Sequence, residues 1–190
     1  MNSGQTILVI GAFVILSTMT LNVNATMVNS STTGLEMEAT LDAVSIAQTM
    51  MDEILAQDFD QHTAGGVRVF SYSDLTPTIN LGPDGSSETI VGDYGVDTSS
   101  TENFESKLNF NDVDDYNGYT RKSWNTRLGW FTVTVHVDYA NEDNPDLGIT
   151  DQTFCKRASI TVSHPNLVKD FKNNVIPLTI QGVAVYRRYF

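Results

Sequence analysis

The chain has 190 residues, of which 41% are hydrophobic, enough for one medium domain with an appendage and too little for two large domains. Its formal net charge of −12 repels a phosphate backbone and argues against nucleic acid as a partner. A single cysteine, Cys155, excludes an intrachain disulfide and a cysteine-based zinc cluster, and beside Phe154 it reads as a small buried hydrophobe.

The chain opens on an apolar run, "GQTILVIGAFVILSTMTLNVNATM" (Gly4 to Met27). Its core from Ile7 to Leu21 is shorter than the roughly 20 residues a helix needs to cross a bilayer. Val23, Ala25, Met27 and Val28 lengthen it, with Asn and Thr interleaved. No Lys or Arg occurs before Arg68, so the run lacks the basic start of a cleavable secretory signal. The next stretch, "NVNATMVNSSTTG" (Asn22 to Gly34), is rich in weak helix formers, and a bend or local melt is expected there on assembly, whereas inside a membrane the segment is expected to stay helical.

From Gly34 to Asp60 helical spacing resumes without proline. Met37, Leu41, Val44, Met51 and Leu55 form one apolar stripe, and Ala39, Ala43, Ile46, Met50 and Ile54 form a second beside it. So wide an apolar face suits a helix covered by its own head on one side and by neighbouring subunits on the other. Residues 1–33 are therefore read as a hydrophobic helix for a filament core or membrane anchor, and residues 34–190 as a globular head. Within the head, residues 34–60 are expected to be an amphipathic helix, 61–128 a loop-rich region and 129–190 an antiparallel sheet.

The turn signals "LGPDGSSE" (Leu81 to Glu88), "GDYG" (Gly92 to Gly95) and "DTSSTEN" (Asp97 to Asn103) mark the loop-rich region, in which one or two short strands are expected. In "GWFTVTVHVDYA" (Gly129 to Ala140), Phe131, Val133, Val135, Val137 and Tyr139 alternate with polar residues, the pattern of a strand with one buried face. "KRASITVSHP" (Lys156 to Pro165) repeats it with Ala158, Ile160 and Val162 inward. "VIPLTIQGVAVYRRYF" (Val175 to Phe190) supplies a third strand whose period shifts near Gly182, where a bulge is expected. The fold class is α+β: a long N-terminal helix packed on an antiparallel sheet, with Val44, Met51 and Leu55 expected against the strand from Gly129.

His62, His136 and His164 fall in no Ser/His/Asp order and no HExxH motif, and there is no glycine-rich phosphate loop, so no enzymatic activity is expected. "NDVDDYNG" (Asn111 to Gly118) gathers Asp112, Asp114, Asp115 and Asn117 on a tight loop, the hard-oxygen chemistry calcium prefers, although the spacing misses an EF-hand. These four residues are the candidate calcium ligands. No other cofactor is expected. "NEDNPD" (Asn141 to Asp146) is a weaker, hairpin-tip version of the same chemistry.

The strongly apolar first half of the helix, the "LDAVSIAQTMMDEILAQDFD" stretch, the "FNDVDDYNGY" loop and the strand pair "TVTVHVDY…KRASITVS" together resemble the type IV pilins and pseudopilins, above all their minor-pilin-like members. The resemblance implies a structural subunit of a type IV pilus-like filament, a homo-oligomer in helical array outside the cell, with a single-pass membrane stage before assembly. It also implies an inner-membrane assembly machinery, a prepilin peptidase and methylation of the mature N-terminus. A minor pilin or secretion-system pseudopilin, and a membrane-anchored surface binding module, stand as alternatives. Two registers compete for the mature terminus. Cleavage after Gly4 would put Val9 at the family's fifth-position glutamate. A mature chain beginning at Met1 puts Gln5 there, ahead of "ILVIGA" (Ile7 to Ala12), and is the preferred register. The residues expected to mediate assembly are Met1, Gln5, Ile7, Val9, Ile10, Phe13 and Val14. Gln5 brings no charge to pair with a neighbour's amine, so that contact would be weaker than with glutamate.

Overall fold

The computed structural model describes residues 3–84, 88 and 110–187. One helix, α1 (Ser3–Leu55), runs unbroken through Asn22 to Gly34 in the single chain, where the bend expected of an assembly does not arise. The polar residues there are accommodated within the helix. Thr26 Oγ1 donates to the Asn22 carbonyl at 2.9 Å and Thr32 Oγ1 to the Val28 carbonyl at 3.0 Å. Regular helix on both sides has already met the nucleation cost, so a modest deficit per residue does not open the segment in a single chain.

Two compact units divide within α1, after Glu38. The second, from Ala39 onward, is an α+β head: the last turns of α1 lie on one face of a five-stranded antiparallel sheet. The strands are β1 (Thr120–Asn125), β2 (Gly129–Ala140), β3 (Gly148–Ile149), β4 (Cys155–Ser163) and β5 (Leu178–Val185), in the order β1-β2-β4-β5 with β3 also paired to β2. The expected strand from Gly129 is present with its alternation intact: Phe131, Val133, Val135, Val137 and Tyr139 are buried. Ala158, Ile160 and Val162 of β4 point the same way.

Four features refine or correct the sequence reading. The helix ends at Leu55, because the following chain leaves to pair with the acidic loop: Asp58 N donates to the Asn111 carbonyl at 3.2 Å and Val113 N to the Asp58 carbonyl at 2.9 Å. Second, the loop-rich region holds a short strand, as expected there, and it is β1. Its inward positions are Arg121 and Ser123, so no apolar alternation marks it. Arg121 sits opposite Val133 in the register and is neutralised by Glu53 of α1 at 3.0 Å. Asn125 closes the β1–β2 turn by accepting the Arg127 and Leu128 amides, and Gly129 follows at φ +91°, where a side chain would be strained.

Third, the helix face on the sheet is the alanine-bearing stripe. Ala39, Ala43, Ala47, Met50 and Ile54 are buried with Met51, whereas Leu41 and Leu55 are exposed and Val44 is only half-buried. Three alanines on successive turns let the helix approach the strands closely, which a row of leucines would prevent. Fourth, β5 has no bulge: its ladder with β4 runs in register from Leu178 to Val185, with Gly182 opposite Ala158. The glycine serves close approach instead. A Cβ built there would collide with Met51 Sδ and lie 3.2 Å from Met51 Cγ.

Candidate functional site

The acidic segment Asp112 to Asp115 is carried into the interior by the pairing just described. Asp112 stands in a parallel bridge with Asp58 just past the end of the helix, and Asp114–Tyr116 turn as one 3-10 turn. Tyr116 anchors that turn: its hydroxyl donates to Glu53 at 3.1 Å, and its ring meets Phe110 and Tyr119 edge-on. The result is that Asp112, Asp114 and Asp115 have no solvent exposure, and neither does Asp60. Carboxylates are rarely buried unless paired or bound to a cation, so each needs an account.

Asp60 has a full one. It caps the turn after the helix, accepting from His62 N at 3.0 Å, from Thr76 N at 3.0 Å and from Lys156 Nζ at 2.8 Å, with the Tyr139 hydroxyl at 3.4 Å. Burial would raise its carboxyl, but the Lys156 charge and hydrogen bond, together with the His62 and Thr76 amides, outweigh burial and hold it below the usual range. Lys156 is fully buried at the start of β4, on the core face. It also donates to the Phe59 carbonyl at 2.9 Å, forms an ion pair with Asp114, and lies 4.8 Å from the centre of the Phe59 ring. One lysine thus ties the chain after α1, the acidic turn and the sheet.

Asp112 and Asp115 are only half satisfied. Asp112 Oδ1 accepts the amides of Asp114 at 2.9 Å and Asp115 at 3.2 Å, and Asp115 Oδ2 accepts those of Asn111 at 2.8 Å and Asp112 at 3.2 Å. The second oxygens, Asp112 Oδ2 and Asp115 Oδ1, are buried without a hydrogen-bond partner. Burial first, then the charge of Asp114, push the Asp112 carboxyl up to about 9. Burial pushes Asp115 up to about 6 against the pull of its two amide donors. A third carboxylate arrives from elsewhere: one oxygen from each of Asp84, Asp112 and Asp115 lies within 4.8 Å of the others. Burial and the charges of Asp114 and Glu88 raise Asp84 as well.

Of the four candidate calcium ligands, the structure therefore brings together Asp112 and Asp115, gives Asp114 to Lys156, and uses Asn117 elsewhere. Asn117 Oδ1 accepts from Val137 N at 3.0 Å and meets His136 Nδ1 at 3.1 Å, while its Nδ2 donates to the Leu81 carbonyl at 3.1 Å, joining the turn to β2. Asp84 escapes a reading of the sequence because "LGPDGSSE" has the composition of a plain turn. Lys156 escapes it too, although the parity that sends Ala158 and Ile160 inward sends Lys156 inward with them. In the "NEDNPD" loop, Asn141 Oδ1 closes the turn on the Asp143 and Asn144 amides, and Glu142 accepts Phe154 N at 3.0 Å. His164 is structural: it stacks on Phe131 with ring centres 4.2 Å apart and bonds the Leu128 carbonyl at 2.9 Å. Cys155 is a buried free thiol, as its neighbour Phe154 suggests.

The residues expected to mediate assembly lie in the first unit. Gln5, Ile7, Val9, Ile10, Phe13 and Val14 are on α1 and all exposed, and Met1 lies outside the described residues. The helix here is apolar all round rather than along one stripe, and no part of its most apolar 18-residue stretch is buried. By length and composition it is able to cross a membrane or to serve as a signal sequence. No protein-family model matches the chain, and no curated protein or solved structure matches it.

Proposed function

We propose that this chain is a structural subunit of a type IV pilus-like filament, held in a membrane by the first half of α1 and then packed through that same half into the core of an extracellular fibre. The observation that carries this reading is the apolar stretch of α1 with none of its surface buried in the single chain. A helix apolar on all sides needs lipid or other helices around it, and would aggregate in water. The exchange from lipid to helix packing would be driven by van der Waals contact among copies. A second feature supports subunit contacts further along: Leu41 and Leu55 stay exposed on α1. The acidic head would then tile the outside, where mutual charge repulsion keeps fibres dispersed.

The test is electron microscopy of material sheared from cells that express the chain. Fibres are expected from the wild type, and none from Ile10→Asp or Val14→Asp, whose heads should remain folded by circular dichroism. Normal fibres from either variant refute packing through this helix. Monomers that need detergent, with no fibres under any condition, would assign α1 to a simple anchor for a surface module.

A further inference from the structure

We infer that Asp84, Asp112 and Asp115 bind a calcium ion in the head. The inference stands on the geometry of the head, independent of the apolar first half of α1 and of any filament. Three carboxylates from two distant parts of the chain converge so that one oxygen of each lies within 4.8 Å of the others, the spacing of ligands around one ion. The convergence is built rather than incidental. Asp112 and Asp115 are wholly buried, and in each one oxygen is fixed by two backbone amides while the other, Asp112 Oδ2 or Asp115 Oδ1, has no hydrogen-bond partner. A buried, unpaired carboxylate oxygen held rigidly beside another acid is costly unless a proton or a cation completes it, and a cation serves all three acids at once.

Charge points the same way. Among the described residues, four aspartates with no exposure, Asp60, Asp112, Asp114 and Asp115, share this interior with one buried lysine, and Lys156 is committed to Asp60 and Asp114. That leaves Asp112 and Asp115, with Asp84 at the surface beside them, without a contacting side-chain cation among the described residues. A divalent ion supplies the missing charge. Asn111 Oδ1, on the residue before Asp112, is one more buried oxygen without a partner.

The donor set selects the ion. With no histidine nitrogen or thiolate in the cluster, it favours a hard cation over zinc or copper. Magnesium gives up its water reluctantly and demands regular octahedral geometry, whereas calcium accepts irregular carboxylate sets at 2.3–2.6 Å. Two of the three acids here are closed to solvent, which suits the ion that dehydrates more readily. Bound there, calcium would clasp the turn at Asp84 to the loop that leads into β1.

The experiment uses the full chain in detergent, stripped with chelator, then titrated with calcium or magnesium while thermal unfolding is followed; terbium emission sensitised by the adjacent Tyr116 reports direct occupancy. The melting temperature should rise with the logarithm of calcium concentration. Asp84→Asn, at the exposed corner of the site and so safe for folding, should raise the calcium midpoint about tenfold or more by removing one charged ligand. Asp143→Asn, an exposed acid in the "NEDNPD" loop, should leave the midpoint unchanged and thereby exclude general screening of the acidic surface. Asp112→Asn should abolish the response. The inference is overturned if calcium at about 10 mM, above the range of weak extracellular calcium modules, leaves the melting temperature and terbium emission unchanged. It is also overturned if Asp84→Asn titrates like the wild type, if Asp143→Asn weakens binding equally, or if magnesium stabilises as strongly as calcium.

Discussion

Lys156→Met is the sharpest probe of how the head is held together. Methionine keeps the stem of the side chain, and therefore most of its packing against the Phe59 and Tyr139 rings, but removes the ammonium that lies 2.8 Å from Asp60, 2.9 Å from the Phe59 carbonyl and in an ion pair with Asp114. Asp60 keeps its donors from His62 and Thr76, so its loss is partial. Asp114 keeps none of comparable strength, with its Oδ2 already without a hydrogen-bond partner. Removing one partner of a fully buried ion pair costs about 3 to 5 kcal/mol, and here one removal strands two acids. We expect a loss in that range at pH 7, measured by urea unfolding of the full chain in detergent and chelator, with fluorescence of Trp124 and Trp130 in the β1–β2 hairpin as the probe. Asp114→Asn in the Lys156→Met background should recover part of the loss, because it removes the charge left behind. A loss below about 1 kcal/mol for Lys156→Met would refute the reasoning, since a surface ion pair costs no more than that.

Gly182→Val should cost about 1 to 3 kcal/mol by overpacking against Met51, and Met51→Ala in the same chain should restore part of it; additive losses in the urea midpoint would show that the helix does not close on β5 at this point. Val135→Ala removes two methyl groups from the centre of β2 and should cost about 1 to 2 kcal/mol, and an unchanged midpoint would contradict its burial. In chelator, stability should rise as pH falls from 7 to 5. The folded Asp112 and Asp115 carboxyls, at about 9 and about 6, lie above their unfolded values, so the folded head holds more protons in this window, at about 1.4 kcal/mol per pH unit for each extra proton. Asp60 acts in the opposite sense: held below 3.8, it contributes stability above that value and loses it as pH falls through its own folded value, so the gain should end near pH 4 and reverse below it. A thermal unfolding series that declines steadily from pH 7 to 5 would contradict these assignments.

The sequence by itself determined those elements whose signal is local. The alternation from Phe131 to Tyr139 requires a strand with one buried face whatever lies opposite, and the proline-free run into Leu55 requires a helix, so β2, β4 and α1 are legible from the order of residues alone. Which of two adjacent stripes on α1 meets the sheet is not, because both are apolar. The choice falls to alanine size and to Gly182, residues far apart in sequence that let two backbones come close. β1 is hidden for a related reason: Arg121 is polar in sequence and core in space, and a carboxylate on a distant helix, Glu53, helps make its inward position tolerable. The acidic loop is visible as chemistry but not as a site. Its residues are divided by tertiary contacts: Lys156 takes Asp114, β2 and the Leu81 carbonyl take Asn117, and Asp84 comes from a turn about thirty residues earlier. Local periodicity sets which face a residue takes, since it follows from backbone geometry. A buried charge finds its partner only when distant segments fold together, and no window along the chain contains both.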